Sequence, residues 1–460
     1  MTLSIRKRTL PLLLAIPFGL LHGCALDKPP TAAELASHAI PAPDDHRQWA
    51  NGGTPGDPAD GWLASFNDAE LARLVREAMT HNGDLAIAAI RVQQAEAMVT
   101  EASSGLLPSA GAKGRAGEAE SQILSVGVSW ELDLWGRIRA QSRAAQSQHL
   151  ASEADYAWAQ RVVAAATAKA WFALIKCTQL ESRLQQIVDV QAEIVRIEDR
   201  RVAIGAAPQT EAQQARNTLR VNQDALVKAT LARNRAAQAL ELLLGRYPAG
   251  EMLAEPDMPA LPEAPPAGLP ANLIERRPDM VAASQRVAAA FDQRQSAQAA
   301  RLPSVSIDAA ITGIRSNVLT IMDSSSPVKG VSASFLAPIF TGGKLKAQAD
   351  YYTEAQKEAM VAYDDSALQA LSEVEAGLQA ETRYAERVAQ LQARVDESQS
   401  LLNKEEARAK IGSTDERSVL QDRQALLSAE MDLVEVRGDQ LAQRIDLLLA
   451  LGGDWQRTGT

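Results

Sequence analysis

The sequence predicts a mainly α, internally duplicated chain with a small transmembrane β part, and three observations lead there. Residues 136–205 open with GRIRAQ and then run to Ile204-Gly205-Ala206 on Ala, Gln, Arg and Glu, with neither Pro nor Gly between the two terminal glycines. At ~1.5 Å rise per residue, an uninterrupted helix over that span is roughly 100 Å long. Ordinary globular helices run ~8–20 residues. The stretch also recurs. GGKLKAQ (342–348) opens a second run that ends at Ile411-Gly412-Ser413. Gly136 and Gly343, Tyr156 and Tyr363, Gly205 and Gly412, and Gly245 and Gly452 share one spacing of 207 residues. Finally, each copy holds short stretches that change character at every second residue, the period of a two-faced strand.

Composition narrows the class. Aromatic residues make up 4% of the 460, and the formal net charge is −10. Few aromatics with abundant Ala, Gln, Leu, Arg and Glu suit long helices. The acidic balance, without a basic stripe, excludes a nucleic-acid partner. Residues 1–23 read as a signal peptide, with Arg6, Lys7 and Arg8 before an apolar run over 10–21. Leu21-His22-Gly23-Cys24 resembles a lipoprotein cleavage box, which makes Cys24 the expected lipidation site and mature N-terminus. An ordinary signal peptide with an incidental Cys is the alternative. Cys177 would then be the one cysteine left, so no intrachain disulfide is available.

Residues 24–61, rich in Pro, Gly and Asp, read as an extended, irregular arm. The first repeat is placed at 62–245. It starts with a helix over 62–78, carrying Leu63, Phe66, Leu71, Leu74 and Val75 on one face. Asn82-Gly83-Asp84 breaks it, with Asp84 the expected N-cap of the next helix, to about Ser103. A β-hairpin follows over 109–134, its second strand alternating Leu124, Val126, Val128, Trp130, Leu132 and Leu134 with polar residues. The long helix 136–204 and a return helix 209–244 complete the repeat. A Pro-rich connector spans 246–270.

The second repeat, 271–452, has the same order: a helix, a hairpin over 303–340, a long helix 343–411 and a return helix 415–451. Val331, Ala333, Phe335, Ala337 and Ile339 mark its return strand. Residues 453–460 form a tail. Asp84, Arg91 and Pro108 match Asp279, Arg286 and Pro303 at a spacing of 195, so the second hairpin is the longer one.

The helices call for neighbours. Leu420, Leu427, Val434, Leu441 and Leu448 stand seven apart, with Met431 and Ile445 on companion positions, a coiled-coil seam. In the long helix, Ile187, Val188 and Val190 recur as Ile194, Val195 and Ile197. Three apolar heptad positions cover more than one seam, as in a ring of helices. An ordinary bundle with a solid core is the alternative. Four strands per chain cannot seal their edges in lipid, so they require closure with other chains into a barrel.

Several stretches together resemble the TolC-like and OprM-like outer-membrane efflux proteins, in the NodT-type lipoprotein group. They are LPANLIERRPDM (269–280), RLPSVSI (301–307), APIFTGGKLKAQ (337–348), ALSEVEAGL (370–378) and ALGGDW (450–455), with WELDLWGRIRAQ and IGAAPQTEAQQAR (204–216) in the first copy. The resemblance implies a homotrimer whose four strands per chain build a 12-stranded β-barrel in the outer membrane, continued by a trimeric α-barrel tunnel. It implies a periplasmic adaptor (membrane fusion) protein and an inner-membrane pump as partners, with outer-membrane lipid around the barrel. The expected role is a passive exit duct for drugs or other toxic small molecules; heavy-metal cation efflux or type I protein secretion is the alternative.

The same resemblance assigns the tips Ile204, Gly205, Ala206, Ile411, Gly412 and Ser413 to adaptor docking. Relatives carry an aspartate nine residues after the tip glycine, in a VLD run that rings the closed entrance. Here that place holds Gln421, beside Asp422. The expected periplasmic gate is therefore less acidic, with Asp415 and Glu211 supplying nearby negative charge. Asp422 turns about 100° from Gln421, toward a neighbouring helix or a surface partner such as Arg417 or Arg423. No catalytic, metal-binding or cofactor constellation is present: the five His are scattered, and Gly-rich phosphate loops and nucleophile elbows are missing.

Overall fold

The structure is a computed structural model that describes residues 28–39, 49–53, 56, 60–116, 121–254, 257–316 and 328–456. The signal segment and Cys24 lie outside the described residues. The chain divides into two compact units. One comprises Met1–Pro29, Ser103–Gln141 and Asp292–Asp350; the other comprises Pro30–Ala102, Ser142–Phe291 and Tyr351–Thr460.

The first unit is built on one antiparallel sheet. Strands β1 (Ser109–Ala116), β2 (Ser121–Leu132), β3 (Ser304–Ser316) and β4 (Val328–Leu336) pair in that order, which leaves β1 and β4 as edges. The predicted alternation gives the sheet two unlike faces. Val126 pairs with Ile311 and Trp130 with Ile307 on one face; Ser125 pairs with Thr312 and Ser129 with Asp308 on the other. β2 stops at Leu132 because Asp133 turns out of the ladder. Its carboxylate accepts from the backbone N–H of Ile138 and Arg139 at 3.0 and 2.9 Å and opens the next helix. The return strand is shorter than expected. β4 ends at Leu336, so Ala337 and Ile339 fall outside it, and Pro338 has no N–H to extend the ladder.

The two copies give helices of equal length. α5 (Arg137–Ala203) and α9 (Lys344–Lys410) each run 67 residues, and their return helices α6 (Gln209–Leu243) and α10 (Glu416–Ala450) each run 35. α4 (Gly83–Ser104) and α8 (Pro278–Ala299) are likewise 22 residues each. No described helix is long and apolar enough to cross a membrane.

In the second unit, α10 lies in register against α5. Lys169 pairs with Asp446 at 2.6 Å, Lys176 with Asp439 at 2.8 Å, and Gln191 with Gln424 at 2.8 Å. Each advance along α5 is an equal retreat along α10, the signature of an antiparallel coiled coil. α10 also meets α9, through Arg444–Glu381 and Arg394–Asp432. Accordingly it buries a second row, Leu426, Leu433, Gln440 and Leu447, besides the predicted seam. A single seam was too narrow a reading, because this helix has neighbours on both sides.

Three further expectations are corrected. The helix predicted over 62–78 is two, α2 (Trp62–Ser65) and α3 (Ala69–His81), separated at Asn67 with φ 49°. Asp68 caps the second, accepting from Leu71 N–H at 2.9 Å. Asn82, not Asp84, caps α4: its Oδ1 accepts from the N–H of Asp84 and Leu85 at 3.0 and 3.2 Å. The arm contains a helix, α1 (Ala32–Ala39), set by a capping box in which Thr31 N–H donates to Glu34 at 2.8 Å and Glu34 N–H donates to Thr31 Oγ1 at 3.3 Å. Farther along the arm, Glu375 accepts from Ala50 N–H and Asn51 N–H at 2.7 and 3.1 Å.

The connector, with no regular structure among its described residues before α7 (Pro270–Arg276), is held by two buried side chains. Glu241 accepts from the N–H of Gly250, Glu251 and Met252, and Arg444 donates to the carbonyl of Glu263 at 2.8 Å.

Candidate functional site

The candidate site is where the two helical hairpins turn. Each long helix ends in a glycine with positive φ, Gly205 at 73° and Gly412 at 71°. The hydrogen bonds are the same in both. Gly205 N–H donates to Val202 O at 2.9 Å and Ala206 N–H to Arg201 O at 2.8 Å; Gly412 N–H donates to Ala409 O at 3.0 Å and Ser413 N–H to Arg408 O at 2.9 Å. These are Schellman turns, which occupy carbonyls that the helix end leaves free. A left-handed glycine is needed for backbone reasons alone, since a Cβ at either would meet nothing within 4 Å. The turns push Ile204 and Ile411 outward, 78% and 79% exposed. Ala206 and Ser413 are exposed beside them.

The return helices begin differently. α10 is capped by Asp415, whose carboxylate accepts from Ser418 N–H at 2.9 Å and Ser418 Oγ at 2.7 Å. These two bonds, the hydroxyl's foremost, hold Asp415 below the ordinary carboxylate range. α6 begins after Pro208, which offers no side-chain cap.

Behind the turns lies a group of charges that the sequence reading missed. Glu198 on α5, its side chain only 4% exposed, sits between Arg201 at 3.0 Å and Arg417 of α10 at 3.3 Å. Glu211 approaches the same arginines at 3.3 and 4.0 Å, and Asp415 lies 3.9 Å from Arg417. Burial of Glu198 makes these partners necessary, because an unpaired carboxylate there would carry the full desolvation penalty. Glu198 and Arg417 keep the register of Gln191 and Gln424, so the pair is the last rung of the α5–α10 ladder. Glu198 and Arg201 were legible as an i, i+3 pair. Their partner, 219 residues farther on, was not.

The expected gate residues do not form one cluster. Gln421 is exposed, and Asp422 next to it is half-buried with no hydrogen bond or ion pair among the described residues. Arg417 is engaged by Glu198 and Glu211, so it does not serve Asp422, and Arg423 does not pair with it either. Glu211 shares its two arginines with Glu198, and Asp415 is the more exposed of the two acids, 56% against 40%.

Large apolar side chains also stand exposed on the outer helices: Val221, Val227 and Leu231 on α6, and Val361, Leu368 and Leu401 on α9. Among the described residues no group of His, Cys, Asp and Glu could hold a metal ion, and burial pushes the Cys177 thiol up.

A duplicated pair of very long helical hairpins joined to a four-stranded sheet with one apolar face defines a channel-forming outer-membrane protein. The chain matches the outer membrane efflux protein family over residues 74–246 and 269–453, and it belongs to that family. It is 30% identical to the toluene efflux pump outer membrane protein TtgI of Pseudomonas putida, over 98% of this chain and 99% of that one. It is 25% identical to the cation efflux system protein CusC of Escherichia coli O6:H1, over 95% and 97%. Among solved structures, the Campylobacter jejuni CmeC outer membrane channel superposes with a TM-score of 0.78 at 24% identity, covering 88% of this chain and 90% of that one. The protein is an outer-membrane efflux channel, a duct and not an enzyme.

Proposed function

We propose that three copies of this chain form the exit duct of a tripartite pump that expels drugs or other toxic organic molecules. One observation carries closure with other copies: α6 and α9 expose apolar side chains at the two edges of the helical unit, and the sheet has two open edges, β1 and β4. An open strand edge has no place in lipid. Ring closure covers both kinds of edge at once, with α9 of one chain against α6 of the next. Solubilised protein that runs as a heat-resistant trimer and gives stepwise conductance in a lipid bilayer supports this reading. A monomer, or a trimer without conductance, contradicts it.

The organic cargo follows the relative named for toluene efflux; the relative named for cation efflux supports heavy-metal cations as the second reading. At the entrance, the exposed isoleucines, with Gly205, Ala206, Gly412 and Ser413, form the face offered to a periplasmic adaptor, which couples the duct to an inner-membrane pump. Arg at positions 206 and 413 should leave the trimer intact and cut export. Gln421 stands at the constriction where an acid would attract cations. Multivalent cations on the tip side therefore block weakly, and Gln421→Asp strengthens the block. Cys24 carries the acyl anchor, so Cys24→Ser abolishes labelling by a fatty-acid analogue.

A further inference from the structure

The sheet carries a carboxylate for which the tips have no use. Its polar face is laid out in rows across the strands. Gly111, Gly127, Ala310 and Gly330 form one row, and Ser109, Ser129, Asp308 and Ser332 form the next. A further row holds Glu131, Ser306 and Ser334. The opposite face carries exposed Leu124, Val126, Val128, Trp130, Ile311, Val331 and Phe335.

Asp308 is the one charged side chain in its row, and three hydroxyls hold it. Ser129 Oγ donates to its Oδ1 at 2.6 Å; Ser306 and Ser334 Oγ donate to its Oδ2 at 3.2 and 3.4 Å. Those donors come from three different strands, β2, β3 and β4. No cation pairs with Asp308 among the described residues. The other acid on this face, Glu131, is neutralised by Arg137 Nη2 at 2.8 and 2.9 Å. Lys113, opposite Ser125, lies four residues farther along the strands, roughly 13 Å at ~3.3 Å per residue. The intervening row is glycine and alanine, so no side chain shields or narrows the space beside the carboxylate.

We propose that Asp308 is the charge-selecting residue of the β-barrel. This rests on the trimeric duct proposed above: the apolar face meets lipid, the polar face lines water, and three chains place three carboxylates around one lumen. Fixed charge of one sign on the wall of a narrow aqueous path concentrates counter-ions there and repels co-ions. The barrel thus favours cationic over anionic solutes, independently of whatever the tip admits. The serines keep each carboxylate pointed and anionic without neutralising it.

The test is the reversal potential of the reconstituted trimer in a KCl gradient, for wild type, Asp308→Asn and Asp308→Lys. Asn has nearly the same shape; its Oδ1 can still accept from Ser129 while its Nδ2 donates to the Ser306 and Ser334 hydroxyls, so it decides the matter even where Lys hinders assembly. Near 0.1 M salt, where the screening length is ~10 Å, the cation-to-anion permeability ratio should fall several-fold in Asp308→Asn and further in Asp308→Lys. The difference should fade near 1 M, where that length is ~3 Å. Since the tip is the same in all three proteins, only the barrel can cause it. An Asp308→Asn ratio equal to wild type at low salt overturns the proposal and leaves the duct intact. Absence of any wild-type conductance overturns the duct itself.

Discussion

The two hairpin tips share a turn and differ in what stands behind it. Duplication has kept Glu198 and Arg201 as Glu405 and Arg408, each acid three residues ahead of its arginine. The next partner diverges. Glu198 reaches Arg417 on the other hairpin of its own chain; Glu405 instead accepts a hydrogen bond from Thr414 within its own turn. The equivalent of Arg417 in the first copy is Thr210, and the equivalent of Glu211 is Ser418. The two hairpins of one chain are therefore latched by a charged rung. In the proposed ring, Thr210 on one chain's α6 stands where an arginine would be needed to repeat this rung against Glu405 on the adjoining chain's α9. Identical backbone geometry does not imply identical fastening: an entrance built this way yields first between chains.

The largest effect should come from breaking the latch. Arg417→Glu places a third carboxylate beside Glu198 and Glu211. Removing one partner from a buried pair costs roughly 3–5 kcal/mol; with Arg201 still in place and Arg417 partly exposed, about 2 kcal/mol is the better figure. Cells carrying this variant should take up a large hydrophilic antibiotic that the wild type excludes, with the trimer still assembled. Unchanged resistance removes the latch from the account.

The caps sharpen the contrast at a smaller scale. Asp415→Ala should cost about 1 kcal/mol, and Pro208→Asp should add up to about that much by giving α6 the cap that α10 already has. Thermal unfolding of the trimer at neutral pH reads both. The Asp415 contribution also has a defined pH sense. Its carboxylate is held below its ordinary value, so the cap is fully present above ~pH 4 and is lost as pH falls through the depressed value. The difference between Asp415 and its Ala variant should be flat from pH 5 to 8 and shrink in stronger acid.

The smallest effect is a gain. Thr210→Arg offers Glu405 of the adjoining chain a second cation besides its own Arg408. A partly exposed pair of this kind is worth ~0.2–1 kcal/mol. The heat resistance of the trimer should rise slightly and its conductance fall. A variant that instead destabilises the trimer shows that α6 and α9 do not adjoin.

Much of this was legible because it is local or periodic. The glycines at 205 and 412, the strand alternation and the common spacing fixed the long helices, their turns and the sheet faces. Other features escaped for identifiable reasons. The break at Asn67 interrupts an apolar face without disturbing its spacing, so periodicity ran through it. Asn82 and Asp84 are both good caps, and only geometry chooses between them. The capping box at Thr31 and Glu34 was readable but hidden in a Pro-rich arm. The second row on α10 was also readable, since Leu426, Leu433 and Leu447 keep the heptad beat. The latch was not, because Arg417 meets Glu198 only once two hairpins of the fold lie side by side. Asp308 was visible as an acid in a strand; the three serines around it depend on pairing register.

The comparison between the tips is tested most directly by single-channel conductance in a planar bilayer, measured for wild type, Arg417→Glu and Glu405→Gln. Arg417→Glu should raise conductance severalfold over wild type, and Glu405→Gln should stay near wild type, because its loss leaves the hairpins of each chain joined. Equal increases in the two variants, or an increase confined to Glu405→Gln, would contradict that difference.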